Sequence, residues 1–456
     1  KEVTQDILKK SVREIGVDND YYSSWQSNIE KIYDSKILID LKKLLPMSYK
    51  TLFIRKKRKP KLTSTVNDKF IENEYYKISI ENNGMINVLD KRRNRIYSDC
   101  IYFEDDGDEG DSYDYSEPKD NVYLREAEIK ETNTTSNSLR DEMNITYEMK
   151  LPYDLEERNE GRTSVNNIIK LNLYLNKNNP NIGINIKVEN KAMEHRLRMI
   201  VNTEISAKSS YADEQFGTIQ REVYLKEVEY WREQGWDEKP RTIEPMQSFV
   251  SIADKELAVQ VTTDSVREYQ ITGNKFHKIA LTILRSTPYL GKEELNDRPG
   301  RESGTKAPTP DARLLNKEID ANYYIRYYDK YNAYEMAKNA KEILTPVISY
   351  QGAQFKNNTT YFVITNPKEK DLPLNYSAFE IKGDAILSTV KKAEGKDELL
   401  IRLFNPDRDK EQNVVVSGFS ENLYESTLDE KPISQLKDGN IDLGRCEVKS
   451  ILSRDE

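Results

Sequence analysis

Along much of this chain apolar and polar residues alternate one by one, the two-residue period of strands that bury one face. Tyr76, Ile78 and Ile80 alternate with polar neighbours, and Ile86 and Val88 resume the pattern beyond Asn83-Gly84. Asn-Gly between two such runs predicts a tight hairpin turn, because both turn positions call for positive φ. The alternation returns at Ile145, Tyr147, Met149 and Leu151, then at Ile169, Leu171, Leu173 and Leu175. Across Asn178-Asn179-Pro180 it continues through Ile182, Ile184, Ile186 and Val188. Residues 279–284 read as an apolar strand, and the unbroken runs Leu399–Ile401 and Val414–Val416 read as buried strands. Helical spacing is rare. Ala333, Ala337, Ala340 and Leu344 predict a short helix over 333–344, ending before Pro346, and Trp25, Ile29 and Ile32 suggest another over 22–33.

Many strands, frequent turns and few short helices predict an all-β chain: a large antiparallel two-sheet sandwich with smaller β-sandwich domains. We divide it at a basic linker near residue 60 and again near Pro346. This gives 1–60 as a partial β domain and linker, 61–345 as the large sandwich and 346–456 as a C-terminal β domain.

Composition narrows the function classes. The 456 residues are 37% hydrophobic and 32% charged, with a net charge of −8, and acidic and basic residues are both abundant. That balance argues against nucleic acid as the main partner. No stretch of about 18 apolar residues exists to span a membrane. Arg55–Lys59 reads as a solvated linker, with anion binding as the sharper alternative. Cys100 and Cys446 are too few for a disulfide framework and suit a reducing compartment, the cytoplasm. The start at Lys1, without a methionine or leader, reads as an internal cut in a larger protein.

The most unusual segment is 103–118, where seven of the eleven residues from Glu104 to Asp114 are carboxylates and none is basic. Gly107 and Gly110 offer sharp turns, and Tyr113 and Tyr115 follow. Carboxylates so close repel one another. Either they lie in a solvated loop, or they accept hydrogen bonds from sugar hydroxyls or a partner arginine. The EF-hand pattern fails, since counting from Asp106 the sixth position is Asp111 rather than glycine. A calcium loop of another kind stays open. The two histidines, His195 and His277, lack a catalytic partner motif and read as structural hydrogen-bonding groups. No spacing of His, Cys or Asp marks a transition-metal site, and no phosphate-cradling glycine loop occurs. Arg298 and Arg301 flank Pro299-Gly300, where guanidinium forks could meet vicinal hydroxyls, a carboxylate, or simply acidic neighbours in the loop.

Phe103–Pro118, Asn190–Arg198, Tyr211–Phe216 and Ala280–Gly304 with Thr309-Pro310, in that order, resemble the C-terminal region of glycoside hydrolase family 38. These are the zinc-dependent retaining α-mannosidases. The resemblance runs from about residue 45 to the end, and the acidic segment is most similar to the bacterial mannosylglycerate-hydrolase-like branch. It implies that 61–345 is similar to the galactose mutarotase supersandwich. It also implies that the nucleophile and the zinc ligands belong to an N-terminal catalytic domain not present here, on which this region packs. On that reading the isolated chain is inactive, and no catalytic or metal-binding residue is assigned in it. The resemblance further implies that Tyr113, Tyr115, Arg298 and Arg301 line a pocket for an α-mannoside or mannosylglycerate-like sugar, with the choice between the two arginines open. A non-catalytic carbohydrate-binding sandwich is the alternative. The number of subunits is left open.

Overall fold

The computed structural model describes residues 2–3, 32–33, 38–42, 44–52, 69–349, 373–418, 420 and 422–454. The basic run 55–59 lies outside the described residues. So does most of the expected helix over 22–33, and its last two residues, Ile32–Tyr33, are extended. The chain forms two compact units, Lys1–Leu44 and Leu45–Glu456. In the first, Glu2–Val3 pairs antiparallel with Ile32–Tyr33.

The second unit is built on two antiparallel sheets. Its strands are β1 (Phe70–Glu72), β2 (Tyr76–Ile80), β3 (Ile86–Asp90), β4 (Arg95–Gly107), β5 (Glu128–Ser136), β6 (Arg140–Leu151), β7 (Val165–Asn176), β8 (Ile182–Glu189) and β9 (His195–Asn202). They continue as β10 (Ser209–Glu214), β11 (Gly217–Glu222), β12 (Ile243–Pro245), β13 (Phe249–Ala253), β14 (Ala258–Thr263), β15 (Glu268–Thr272), β16 (Lys278–Arg285) and β17 (Glu318–Tyr328). Among the described residues one sheet has eight strands in the order β12-β15-β16-β9-β4-β3-β2-β1. The other has nine, β11-β10-β13-β14-β17-β8-β7-β6-β5.

The alternating residues do what their period requires. Ile78, Val88, Ile101, Phe103, Leu197 and Met199 of the first sheet share one buried cluster with Ile145, Met149, Leu171, Leu173, Ile184, Ile186 and Ile325 of the second. Each such side chain contributes about 1.5–3 kcal/mol on burial. The β2–β3 hairpin closes at Ile80↔Ile86, as the pattern predicts. Its turn is looser than Asn-Gly suggests. Glu81 N donates to Met85 O, and only Gly84 takes positive φ (82°), so three residues form the loop and Asn83 is spared the strained conformation.

Three short helices decorate the sandwich: α1 (Leu155–Asn159), α2 (Pro310–Leu314) and α3 (Ala333–Leu344). The side chain of Asn332 caps α3 by accepting from Glu335 N at 3.0 Å. Met336, Ala337 and Ala340 on its buried face pack with Phe249, Ala258 and Ile386. Ile386 belongs to a C-terminal sandwich, in which a three-stranded and a five-stranded sheet enclose Ile401, Leu403, Val414, Val416, Ile441 and Ile451. Phe216, in the turn between β10 and β11, meets Phe404 of that sandwich edge to face at 5.7 Å. No helix among the described residues is long and apolar enough to cross a membrane.

Candidate functional site: an acidic run clamped by arginines

The acidic run begins as a strand rather than a loop. Residues 104–107 finish β4, which pairs with β9 so that Glu104 faces Arg198 and Asp106 faces Arg196. Successive side chains point to opposite sides of a sheet. Glu104 and Asp106 therefore share one face with the two arginines, and Asp105 turns to the other.

On the first face Arg198 Nη2 lies 2.5 Å from Glu104 Oε1, and Arg125 Nε donates to Oε2 at 2.7 Å. Arg196 grips Asp106 with two parallel bonds, Nε to Oδ1 at 3.1 Å and Nη2 to Oδ2 at 2.8 Å. The Tyr115 hydroxyl donates to Asp106 Oδ2 at 2.6 Å. Burial pushes the Asp106 carboxyl upward, but Arg196 and Arg198 outweigh it and hold the group below its ordinary value. Burial and the Asp106 charge together push the Tyr115 phenol far up. On the opposite face Asp105 binds Arg158 of α1 and His195 Nδ1, while His195 Nε2 meets Asn190 Oδ1 at 2.9 Å. His195 is thus the hydrogen-bonding group its sequence context predicts.

The segment 108–118 is equally well bonded. Asp108 Oδ2 accepts from Arg285 Nε at 2.7 Å, and Oδ1 accepts from Gly110 N at 2.9 Å. Burial nonetheless leaves its carboxyl above the ordinary value. Asp111 accepts from Arg298 Nη2 (2.6 Å), Ser303 Oγ (2.7 Å) and the backbone N–H groups of Tyr113, Asp114 and Lys292. Burial alone would raise it, but these donors hold it below the usual range. Neither Gly107 nor Gly110 has positive φ. Gly110 is needed for space instead, because a Cβ there would stand 1.9 Å from Asp114 O. The solvated-loop reading fails: Asp105, Asp106, Asp108 and Asp111 are fully buried.

Three chain segments meet here. Ser112 Oγ donates to Leu290 O at 2.6 Å, Asn296 Nδ2 donates to Glu117 O, and Arg241 Nη1 donates to Tyr115 O at 2.6 Å. Arg232 and Lys239 donate to the carbonyls of Asn296 and Asp297. A hollow of about 300 Å³ opens beside them, lined by Glu109, Arg232, Glu294, Leu295, Asn296 and Pro299.

The four residues singled out in the sequence divide into two kinds. Arg298 is fully buried, bound to Asp111 and Asp114, and Tyr115 is 7% exposed under Arg196. Tyr113 is 59% exposed beside Gly304, and Arg301 lies at the surface, paired with Glu238 at 3.1 Å. Arg298 Nη1 donates to Arg301 O and Asp111 accepts from both Arg298 and Tyr113 N, so the exposed pair is held by Arg298 and Asp111. None of the four lines the hollow. Sequence reasoning missed Arg158, Arg241 and Arg285. Their one signal was a total of 70 lysines and arginines close to the 78 acidic residues, and count alone does not locate a partner. Among the described residues no group of three or more His, Cys, Asp and Glu could hold a metal ion. The carboxylates of the acidic run that a cation could have used are instead bound by arginines.

The second unit is thus a large antiparallel sandwich followed by a smaller one, with an arginine-bound acidic segment where the interior strand β4 ends. Residues 71–312 match the family described as "Glycosyl hydrolases family 38 C-terminal domain", and 384–451 match "Glycosyl hydrolases family 38 C-terminal beta sandwich domain". The chain belongs to the glycosyl hydrolase family 38 C-terminal domains. It is 25% identical over 395 residues to a protein of Halalkalibacterium halodurans named "Putative mannosylglycerate hydrolase". That alignment covers 82% of this chain and 40% of the relative. An alpha-mannosidase from Enterococcus faecalis V583 shares the fold with a TM-score of 0.69 and 19% identity, over 88% of this chain and 43% of that one. A second family 38 structure from Enterococcus faecalis gives 0.68 and 19%, over 88% and 45%. This chain thus spans less than half the length of each of these relatives.

Proposed function

We propose that the chain is the β-rich C-terminal part of a retaining α-mannosidase that cleaves an α-mannoside or a mannosylglycerate-like substrate. The reacting carboxylates and the zinc ligands then lie in an N-terminal domain outside this sequence. The whole activity is a double displacement: one carboxylate attacks the anomeric carbon, and a second carboxyl protonates the leaving oxygen. Glu104, Asp105, Asp106, Asp108 and Asp111 do not serve as that pair, since each is committed to an arginine. Tyr113 and Arg301 are the residues this chain offers to the sugar, as a hydroxyl and a guanidinium fork aimed by hydrogen bonding. Arg298 acts through them as a positioning residue, and Tyr115 braces the neighbouring Asp106.

The observation that carries this reading is the clamp on Asp111, which joins the tyrosine and arginine loops and leaves Tyr113 at the surface. The test is hydrolysis of an aryl α-mannoside and of mannosylglycerate by the longer protein containing this sequence, with and without Tyr113→Phe and Arg301→Ala. Activity that falls in both variants supports the reading. A longer protein that cleaves neither substrate, or two variants with unchanged kcat/KM, overturns it.

A further inference from the structure

On the outer side of the nine-stranded sheet, far along the sequence from the acidic run, a cavity of about 220 Å³ lies between α3 and the β7–β8 connection. Its floor is a row across three strands, because Tyr174 pairs with Gly183 and Gly183 with Tyr324. With no side chain at Gly183, the Tyr174 ring lies flat over the backbone. A Cβ there would come within 2.1 Å of the ring.

The walls are amides. Asn176, Asn179 and Asn181 come from the end of β7 and the connection, and Asn339 comes from the inner face of α3. Asn181 and Asn339 exchange reciprocal bonds at 3.1 Å, and Arg326 Nη1 donates to Asn339 Oδ1 at 2.8 Å, which fixes that wall. Other groups are unspent. The side-chain amide nitrogens of Asn176 and Asn179 donate to no acceptor among the described residues, and the Glu342 carboxylate at the rim makes no ion pair with them. Besides Arg326, a second arginine stands behind the lining. Arg140 stacks over the Tyr174 ring at 4.4 Å and spends its Nε on Asn176 Oδ1 at 2.7 Å.

Each of these facts restricts the ligand. A lining with no uncommitted cation and one free carboxylate disfavours phosphates and carboxylates. Amide donors beside a carboxylate acceptor suit a molecule whose groups both donate and accept, which describes hydroxyls. The Tyr174 ring is covered by the Gly183 backbone and by Arg140, so Tyr324 is the aromatic surface of the floor, which suits a compact ring with apolar C–H edges. The volume falls below the roughly 300–1,000 Å³ of pockets for drug-sized ligands, so one small ring fits and a long chain does not.

We propose that this cleft is a non-catalytic binding site for a single neutral pyranose, as a free sugar or as the end residue of an oligosaccharide. The amides of Asn176 and Asn179 donate to its hydroxyls, Glu342 accepts from them, and Tyr324 supports the ring. This site is separate from the Tyr113 and Arg301 loops and does not depend on the mannosidase reading.

The test is saturation-transfer NMR on this whole chain with methyl α-mannopyranoside and methyl α-glucopyranoside, and with inorganic phosphate as the anionic probe. Transfer to at least one glycoside and none to phosphate is expected. Glu342→Gln and Asn179→Ala, both on side chains outside the core, should each weaken glycoside binding by about fivefold, the effect of one hydrogen bond. Circular dichroism checks that both variants remain folded. Absence of transfer to both glycosides overturns the proposal, and so does binding of phosphate alone. Glycoside binding that is undiminished in both folded variants also overturns it, because the sugar is then held elsewhere.

Discussion

Arg196 lies 3.5 Å above the ring of Tyr115 while both bind the same carboxylate, Asp106. Tyrosine and arginine are thereby locked to each other as well as to the acid. The arrangement turns a cluster of negative charge into a rigid support.

Removing the Tyr115 hydroxyl should be costly despite the small change in volume. Tyr115→Phe deletes a bond to a buried charge, worth about 1.5–3 kcal/mol. It also has a pH signature. Asp106 titrates below its unfolded value, so its contribution is complete above the ordinary carboxylate range and is lost as pH falls through the folded value. With one donor gone the folded value rises, and the acid-unfolding midpoint of the variant should move to higher pH. An unchanged midpoint by circular dichroism would count against this account.

Arg298→Met should destabilise the chain by about 3–5 kcal/mol, because it leaves Asp111 buried without its cation. Urea unfolding measures this. Asp111→Asn combined with Arg298→Met should cost less than the two single changes added together, since the pair is lost only once.

Tyr113→Ala and Arg301→Ala should behave differently. Both side chains are exposed, and their removal should change stability by no more than about 0.5 kcal/mol. In the longer protein both should lower kcat/KM. Loss of folding in either variant would show that the loops depend on them structurally.

Asp213, in β10, has a carboxyl pushed up to about 6 by burial, with Ser248 as a hydrogen-bond donor and Glu214 adding like charge. A raised acid binds its proton more tightly folded than unfolded. Stability is therefore greatest below the unfolded value and declines as pH climbs through about 6. Asp213→Asn should be more stable than the parent at pH 8, by an amount on the order of 2–3 kcal/mol, and equal to it near pH 4. A thermal-denaturation series across that range decides it.

The strands were legible wherever one face is buried. Ile169 to Leu175 and Ile182 to Val188 alternate because every second side chain enters the core, and they pair in that register. The short helix was legible too, from its alanine face and the proline beyond it. The acidic run was misread as a loop at Glu104–Gly107, because its neutralising partners lie on β9, about ninety residues away in sequence. Local charge repulsion predicts exposure, and only non-local pairing reverses it. Asn83-Gly84 located a turn but not its length, which depends on Glu81 and Met85 closing the ladder early.

The cations around the acidic segment come from positions 125, 158, 196, 198, 241, 285 and 298. During synthesis, the polyanion emerges from the ribosome nearly two hundred residues before its last counter-charge. It must wait for the sandwich to assemble before it takes shape, a high contact order that makes this edge a late event in folding. A chain halted before Arg298 would hold six of these seven arginines yet leave Asp111 without its cation, and would be open to proteolysis there.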